Sequence, residues 1–145
     1  MIRTNMHLAR LAVAGLMAIF MAGCDAAYRS RIDVTLCKRT GSEGAMEGNI
    51  LRQILTENGY AIRERVEDDP FIKQELRGEK FRDVWSADKK YNPTVIFTQG
   101  ENHSTIRLIQ LSGPIRPRTI TELTDKIRSS LAAVCGANGV EVQQY

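Results

Sequence analysis

The chain has 145 residues, of which 43% are hydrophobic and 26% charged, and its net charge is +3. That is the composition of one globular domain, and it excludes a disordered tail, a collagen-like repeat and a multi-domain enzyme. Residues 1–23 hold two of the 20 basic groups and none of the 17 acidic ones. Without them the net charge falls to +1, which gives no electrostatic ground for binding nucleic acid.

Arg3 and Arg10 precede an unbroken apolar run over residues 11–21, LAVAGLMAIFM, followed by Ala22, Gly23 and Cys24. A basic start, a short apolar stretch and small residues before a cleavage point mark a secretory leader. The run is too short for a bilayer core, which needs about 20 residues. Met21-Ala22-Gly23-Cys24 resembles the lipobox of bacterial lipoproteins, with Met21 where that family prefers Leu. The resemblance implies cleavage before Cys24, a diacylglycerol thioether on its sulfur and a palmitate-type acyl chain on its amine. It therefore implies a membrane partner through the lipid, in a bacterial cell envelope and facing the periplasm. Asp25 resembles the inner-membrane retention signal of enterobacterial lipoproteins, with the outer membrane as the alternative. Residues 24–30 are expected to be the lipidated cysteine and a short tether, and residues 31–145 a single α/β domain.

Residues 31–37, RIDVTLC, alternate Ile32, Val34 and Leu36 with polar neighbours, which predicts a strand. A Gly-rich polar stretch follows. Met46, Ile50, Leu51, Ile54 and Leu55 then recur at helical spacing, with Asn49 as a candidate N-cap and Asn58-Gly59 as the stop. Residues 60–66 read as a second strand. A helix between two strands predicts a βαβ unit with parallel strands. Asp69-Pro70 starts a further helix that Gly78 would end, with Pro at the first helical position. Residues 81–91 fit a helix or a short strand. Residues 94–99 and 104–111 predict a hairpin around GENH, with Pro93 at the mouth of its first strand. Thr119 and Glu122 form a T-x-x-E capping box for the last helix. Ile120, Leu123, Ile127, Leu131 and Val134 form its apolar face, and Gly136 its end. The tail VEVQ is either an edge strand or loose.

The order strand, helix, strand, helical linker, hairpin, helix resembles the thioredoxin and glutaredoxin family. Asn92-Pro93-Thr94-Val95-Ile96-Phe97 looks like that family's hairpin, which opens at a cis proline. The resemblance implies a thioredoxin-like α/β fold, the alternative being another small α+β sandwich. The family's active-site cysteine is missing: the matching loop reads Arg39-Thr40-Gly41-Ser42-Glu43-Gly44-Ala45. A helix N-terminus activates a thiol by favouring its thiolate, and here that position holds none. Ser42 reads as an N-cap, with no base nearby to make it a nucleophile. By the same resemblance, Thr40, Gly41, Ser42 and Glu43 together with Asn92, Pro93 and Thr94 would share one end and hold an extended peptide by main-chain contacts. That end is expected to face away from the membrane.

Cys37 and Cys135 are left once Cys24 is assigned to lipid. An envelope compartment permits a disulfide between them. The predicted topology opposes it, because the last helix would start beside Cys37 and carry Cys135 about 25 Å away. His103 sits alone in the GENH turn, and no spacing suggests a metal site or another cofactor. The expected function is a membrane-anchored accessory that binds a protein or peptide partner in an envelope assembly. The alternatives are a thiol–disulfide redox protein using Cys37 and a structural lipoprotein of a secretion or conjugation complex.

Overall fold

A computed structural model of the chain describes residues 26–35 and 46–145. Its elements, in chain order, are β1 (Ala26–Thr35), α1 (Met46–Glu57), β2 (Ala61–Arg63), α2 (Pro70–Glu75), β3 (Asp83–Asp88), β4 (Thr94–Gln99), β5 (His103–Ser112), α3 (Arg118–Cys135), a 3-10 turn (Ala137–Gly139) and β6 (Val140–Gln144). The strands make one sheet in the order β2-β3-β4-β5-β1-β6. The class is mixed α/β, in the small α+β form.

Every strand pair is antiparallel. This corrects the expected parallel βαβ unit: α1 carries the chain from β1 across the sheet to its far edge, where β2 pairs only with β3. The parallel pairing that a thioredoxin-like arrangement needs is absent from the described sheet. The described residues contain no cis peptide bond, so Pro93 is joined in trans.

Strand β1 begins at Ala26, within the stretch expected to be tether. It runs antiparallel to β5 over its whole length, from Ala26 opposite Ser112 to Thr35 opposite His103. Its alternation sorts the faces: Ile32 and Val34 point into the main core, while Arg31 and Asp33 point the other way.

The main core lies between one sheet face and the two long helices. Leu51, Ile54 and Leu55 of α1 and Ile120, Leu123, Ile127 and Leu131 of α3 meet Trp85, Phe97, Ile106 and Leu108. Trp85 and Phe97 stack with centroids 5.1 Å apart. Fully burying side chains of this size contributes about 1.5–3 kcal/mol each. Gly48 lies in the first turn of α1, so that helix starts before Asn49, which is not its N-cap. A Cβ on Gly48 would stand 3.2 Å from the Phe97 ring, so the close approach there is to the core and not to a ligand. α1 ends as predicted: Gly59 takes φ +80° and its N–H donates to the Thr56 carbonyl at 3.0 Å.

The opposite face carries a smaller core of Val66, Ile72, Leu76, Val84, Ile96 and Ile109 beneath α2. Layers on both sides explain why β4 and β5 are buried almost continuously. Asp69 caps α2, accepting from the Phe71 and Ile72 N–H groups at 3.0 and 3.2 Å. The capping box expected on α3 is not formed. Pro117 occupies the N-cap, and the Thr119 hydroxyl donates instead to Gln110 Oε1 at 2.7 Å. Val134, expected on the buried face, is 54% exposed because it lies past the sheet.

α3 runs toward the Thr35 end of β1, which reverses the direction expected for it. After Cys135 the chain turns and returns as β6, pairing Val140 with Val34. The turn is tight: a Cβ on Gly139 would lie 2.5 Å from the Thr35 carbonyl oxygen. Gly139→Ala should therefore cost about 1–3 kcal/mol in urea unfolding, through overpacking against backbone. Gly113→Ala, with nothing within 4 Å of the added methyl, should change stability by less than about 0.5 kcal/mol. Equal effects at the two positions would contradict the close approach of the turn to β1.

Candidate functional site

Cys24, Cys37, Thr40, Gly41, Ser42 and Glu43 lie outside the described residues. Asn92, Pro93 and Thr94 form the turn between β3 and β4. Thr94 pairs with Ile109, toward the Ala26 end of β1. The turn is satisfied internally: Pro93 is buried, the Asn92 amide donates to the Lys90 carbonyl at 3.0 Å, and the Thr94 hydroxyl donates to Asp88 at 2.7 Å.

Charges cluster on the sheet face beside α2. Arg31 Nε donates to both carboxylate oxygens of Asp33, at 3.0 and 2.9 Å, and the Thr105 hydroxyl donates to Asp33 at 2.8 Å. Arg107, almost fully buried, pairs with Glu79, and Arg29 pairs with Glu75 at 2.8 Å. The carboxylates hold the Arg29 and Arg31 guanidinium pKa values above the ordinary arginine value, chiefly through these hydrogen bonds. Glu75 and Glu79 belong to α2 and the segment after it, so the pairs clamp that segment across the sheet. A pocket of about 180 Å³ lies among Arg29, Arg31, Glu75, Glu79, Arg107 and Tyr145. Its charged groups already hold one another, which leaves it structural work.

Elsewhere the ion pairs fasten edges. Arg52 lies 4.3 Å over the Trp85 ring and pairs with Glu64, whose pKa it lowers by hydrogen bonding. Arg63 bridges Asp69 and Asp88, and its hydrogen bond is the largest influence lowering the Asp69 pKa. Glu47 is buried at the start of α1. The Ser104 hydroxyl donates to Oε1, while Oε2 has no partner. His103 is exposed at the start of β5, and no group of three His, Cys, Asp or Glu is close enough to hold a metal ion among the described residues. Nor, among these residues, is any helix long and apolar enough to cross a membrane.

Two surfaces leave backbone or apolar groups open. The first is the outer edge of β6, the last strand of the sheet. Arg29 and Tyr145 exchange both backbone hydrogen bonds, at 3.3 and 3.1 Å. Antiparallel alternation then bonds Gln143 to Arg31 and Glu141 to Asp33, so the backbone N–H and C=O of Val142 and Gln144 point outward, while the Val140 N–H is taken by the Ala137 carbonyl. The Arg116 guanidinium locks this strand end, donating to the Tyr145 carbonyl at 2.9 Å and the Arg29 carbonyl at 3.2 Å. The second surface is the Ala26 end of the domain. There Phe71, Tyr91, Asn92, Thr94 and Leu111 border an open cleft of about 570 Å³. The alternation in VEVQ is the signal for the first surface. The second carries no sequence signal, because its residues come from separate connections.

Neither the protein-family models nor the curated proteins contain a match to this chain.

Proposed function

We propose that this chain is a bacterial envelope lipoprotein, anchored through lipid on Cys24, whose domain is a binding accessory that accepts an extended segment of a partner protein along β6. The open β6 edge carries this reading. Five residues of ladder present two complete sets of outward backbone groups, at Val142 and Gln144, on which strand addition can build. The opposite edge, β2, has only three residues, and side chains of Arg63 and Arg52 tie its neighbourhood down. Edge strands that are not meant to pair are usually guarded by inward charges, proline or bulges. β6 carries one charge, Glu141, and none of the other devices. The anchor supports the same reading, since a domain held at the membrane needs a partner surface and not a diffusing substrate.

Val142→Pro and Gln144→Pro test this. Each removes an outward N–H and leaves the bonds between β6 and β1 in place, because proline is tolerated at edge positions whose N–H faces away from the ladder. Cross-linking in intact envelopes should recover a defined partner with the natural protein, and recovery should fall at least tenfold with either variant while the circular dichroism spectrum is kept. Undiminished recovery with both folded variants would overturn strand addition at β6.

Cys135 is disulfide-bonded. We infer that Cys37 is its partner. Cys37 follows Thr35 by two residues, and α3 ends at the same end of the sheet, while Cys24 precedes Ala26 at the opposite end, about 30 Å away. Disulfide Cα atoms lie within about 7 Å of each other. The topological objection to this bond therefore disappears with the parallel unit on which it rested. The bond would pin the start of the 38–45 loop to the end of α3, and in the chain-entropy model it stabilises by about 4–5 kcal/mol. The mature lipoprotein, denatured without reductant, should show no free thiol, the Cys24 sulfur being a thioether. Two free thiols would contradict the pairing and return Cys37 to the redox reading.

A further inference from the structure

The exposed large hydrophobic side chains of the domain are not scattered. Phe71 (42% exposed), Tyr91 (83%), Leu111 (68%) and Ile115 (80%) all lie at or near the Ala26 end, and Tyr145 pairs with Arg29, nearer that end than the other. Among the described residues, only Val134 stands at the Thr35 end. The strand register places them there. Leu111 is opposite Ala27, the 113–117 connection follows it, and the β3–β4 turn bearing Tyr91 closes beside the start of β4. Tyr91 is held outward in a left-handed conformation, φ +62°, which a bulky residue rarely adopts.

Basic groups accompany them. Lys90 lies 4.9 Å from the Tyr91 ring, Lys89 is next to it, and Arg118 is exposed at the start of α3. The acids of this end include Glu57, next to the Asn58 carbonyl that Lys89 reaches at 2.8 Å, Asp69, which caps the helix bearing Phe71 and pairs with Arg63, Glu122, one turn into α3, and Asp88, which is bonded to Arg63 and Thr94. Apolar and tyrosine side chains rimmed by lysine and arginine form the arrangement that settles at a lipid interface.

The chain outside the structure says what covers this end. Cys24 precedes Ala26 by two residues, which reach at most about 7 Å. That is close to the depth of one headgroup layer, the difference between a hydrocarbon core of about 30 Å and a full bilayer of about 40–45 Å, divided over two sides. We propose that the Ala26 end of the domain lies on the lipid surface that carries its own anchor, with Leu111 and Ile115 at the headgroup–acyl boundary and Lys89, Lys90 and Arg118 against anionic headgroups. The proposal rests on lipid attachment at Cys24 and adds an orientation: the sheet stands on the membrane, with β6 running along its side and the loop after Thr35 farthest out.

The test uses the full mature lipoprotein in vesicles of phosphatidylethanolamine and phosphatidylglycerol with brominated acyl chains. Leu111→Trp, Ile115→Trp and Val134→Trp place a probe at exposed sites at the two ends, and the native Trp85, 1% exposed, supplies a constant background. Bromine should quench the added fluorescence of the first two variants at least threefold more than that of Val134→Trp. Adding Lys90→Glu and Arg118→Glu should reduce that difference. Equal quenching at the two ends, with the lipid mass confirmed on Cys24, would overturn the docking and leave the anchor standing. Blue-shifted but unquenched Leu111→Trp emission would give the surface to a protein, a second copy included, and would also overturn it. Absence of lipid from Cys24 would overturn the anchor and the docking together.

Discussion

Everything in this fold is arranged around β1 being held on both sides. It pairs along its full length with β5, and from Arg29 to Val34 it also pairs with β6. A strand in that position cannot slip by one residue without turning Ile32 and Val34 out of the core and Arg31 and Asp33 into it. Its first residue stands two places after Cys24.

The same strand links the two layers of the molecule. On one face it meets α3 through Ile32 and Val34, and also through Ser30, which accepts from the Thr124 hydroxyl at 3.0 Å. On the other face, Arg29 and Arg31 reach the carboxylates of Glu75 and Glu79. An ion pair partly shielded from water is worth more than an exposed one, and truncating one partner leaves the other charge unsatisfied. The charged face thus serves cohesion. Backbone or apolar groups remain open elsewhere, at the β6 edge and the Ala26 end.

Local chemistry was legible in the sequence, and pairing was not. Asp69-Pro70 marks a helix start, Asn58-Gly59 a helix stop, and the alternation from residue 31 and the apolar, β-branched run 94–99 mark strands, because each depends on neighbours in the chain; the 140–144 segment reads equally as an edge strand or a loose tail. A helix between two strands says nothing about whether those strands become neighbours, and here β1 and β2 are separated by β3, β4 and β5. With the parallel unit falls the direction expected of α3, which runs toward the Thr35 end of β1. Thr119 shows the same limit on a smaller scale: its hydroxyl found Gln110 across space and not its own helix start. Tyr91, Leu111 and Ile115 stand far apart in the sequence, and only the register gathers them.

Ala26, two residues after Cys24, already belongs to the sheet, and from Arg29 on the strand is paired on both sides. Hydrogen exchange on the protein measures this directly, since amides of doubly paired central strands open only with the whole domain. Residues 29–34 should exchange in the slowest class, alongside those of β4 and β5, with protection extending back to Tyr28, whose N–H faces β5. Rapid exchange over residues 28–30, with β4 and β5 still protected, would show a tether in place of a strand built into the sheet.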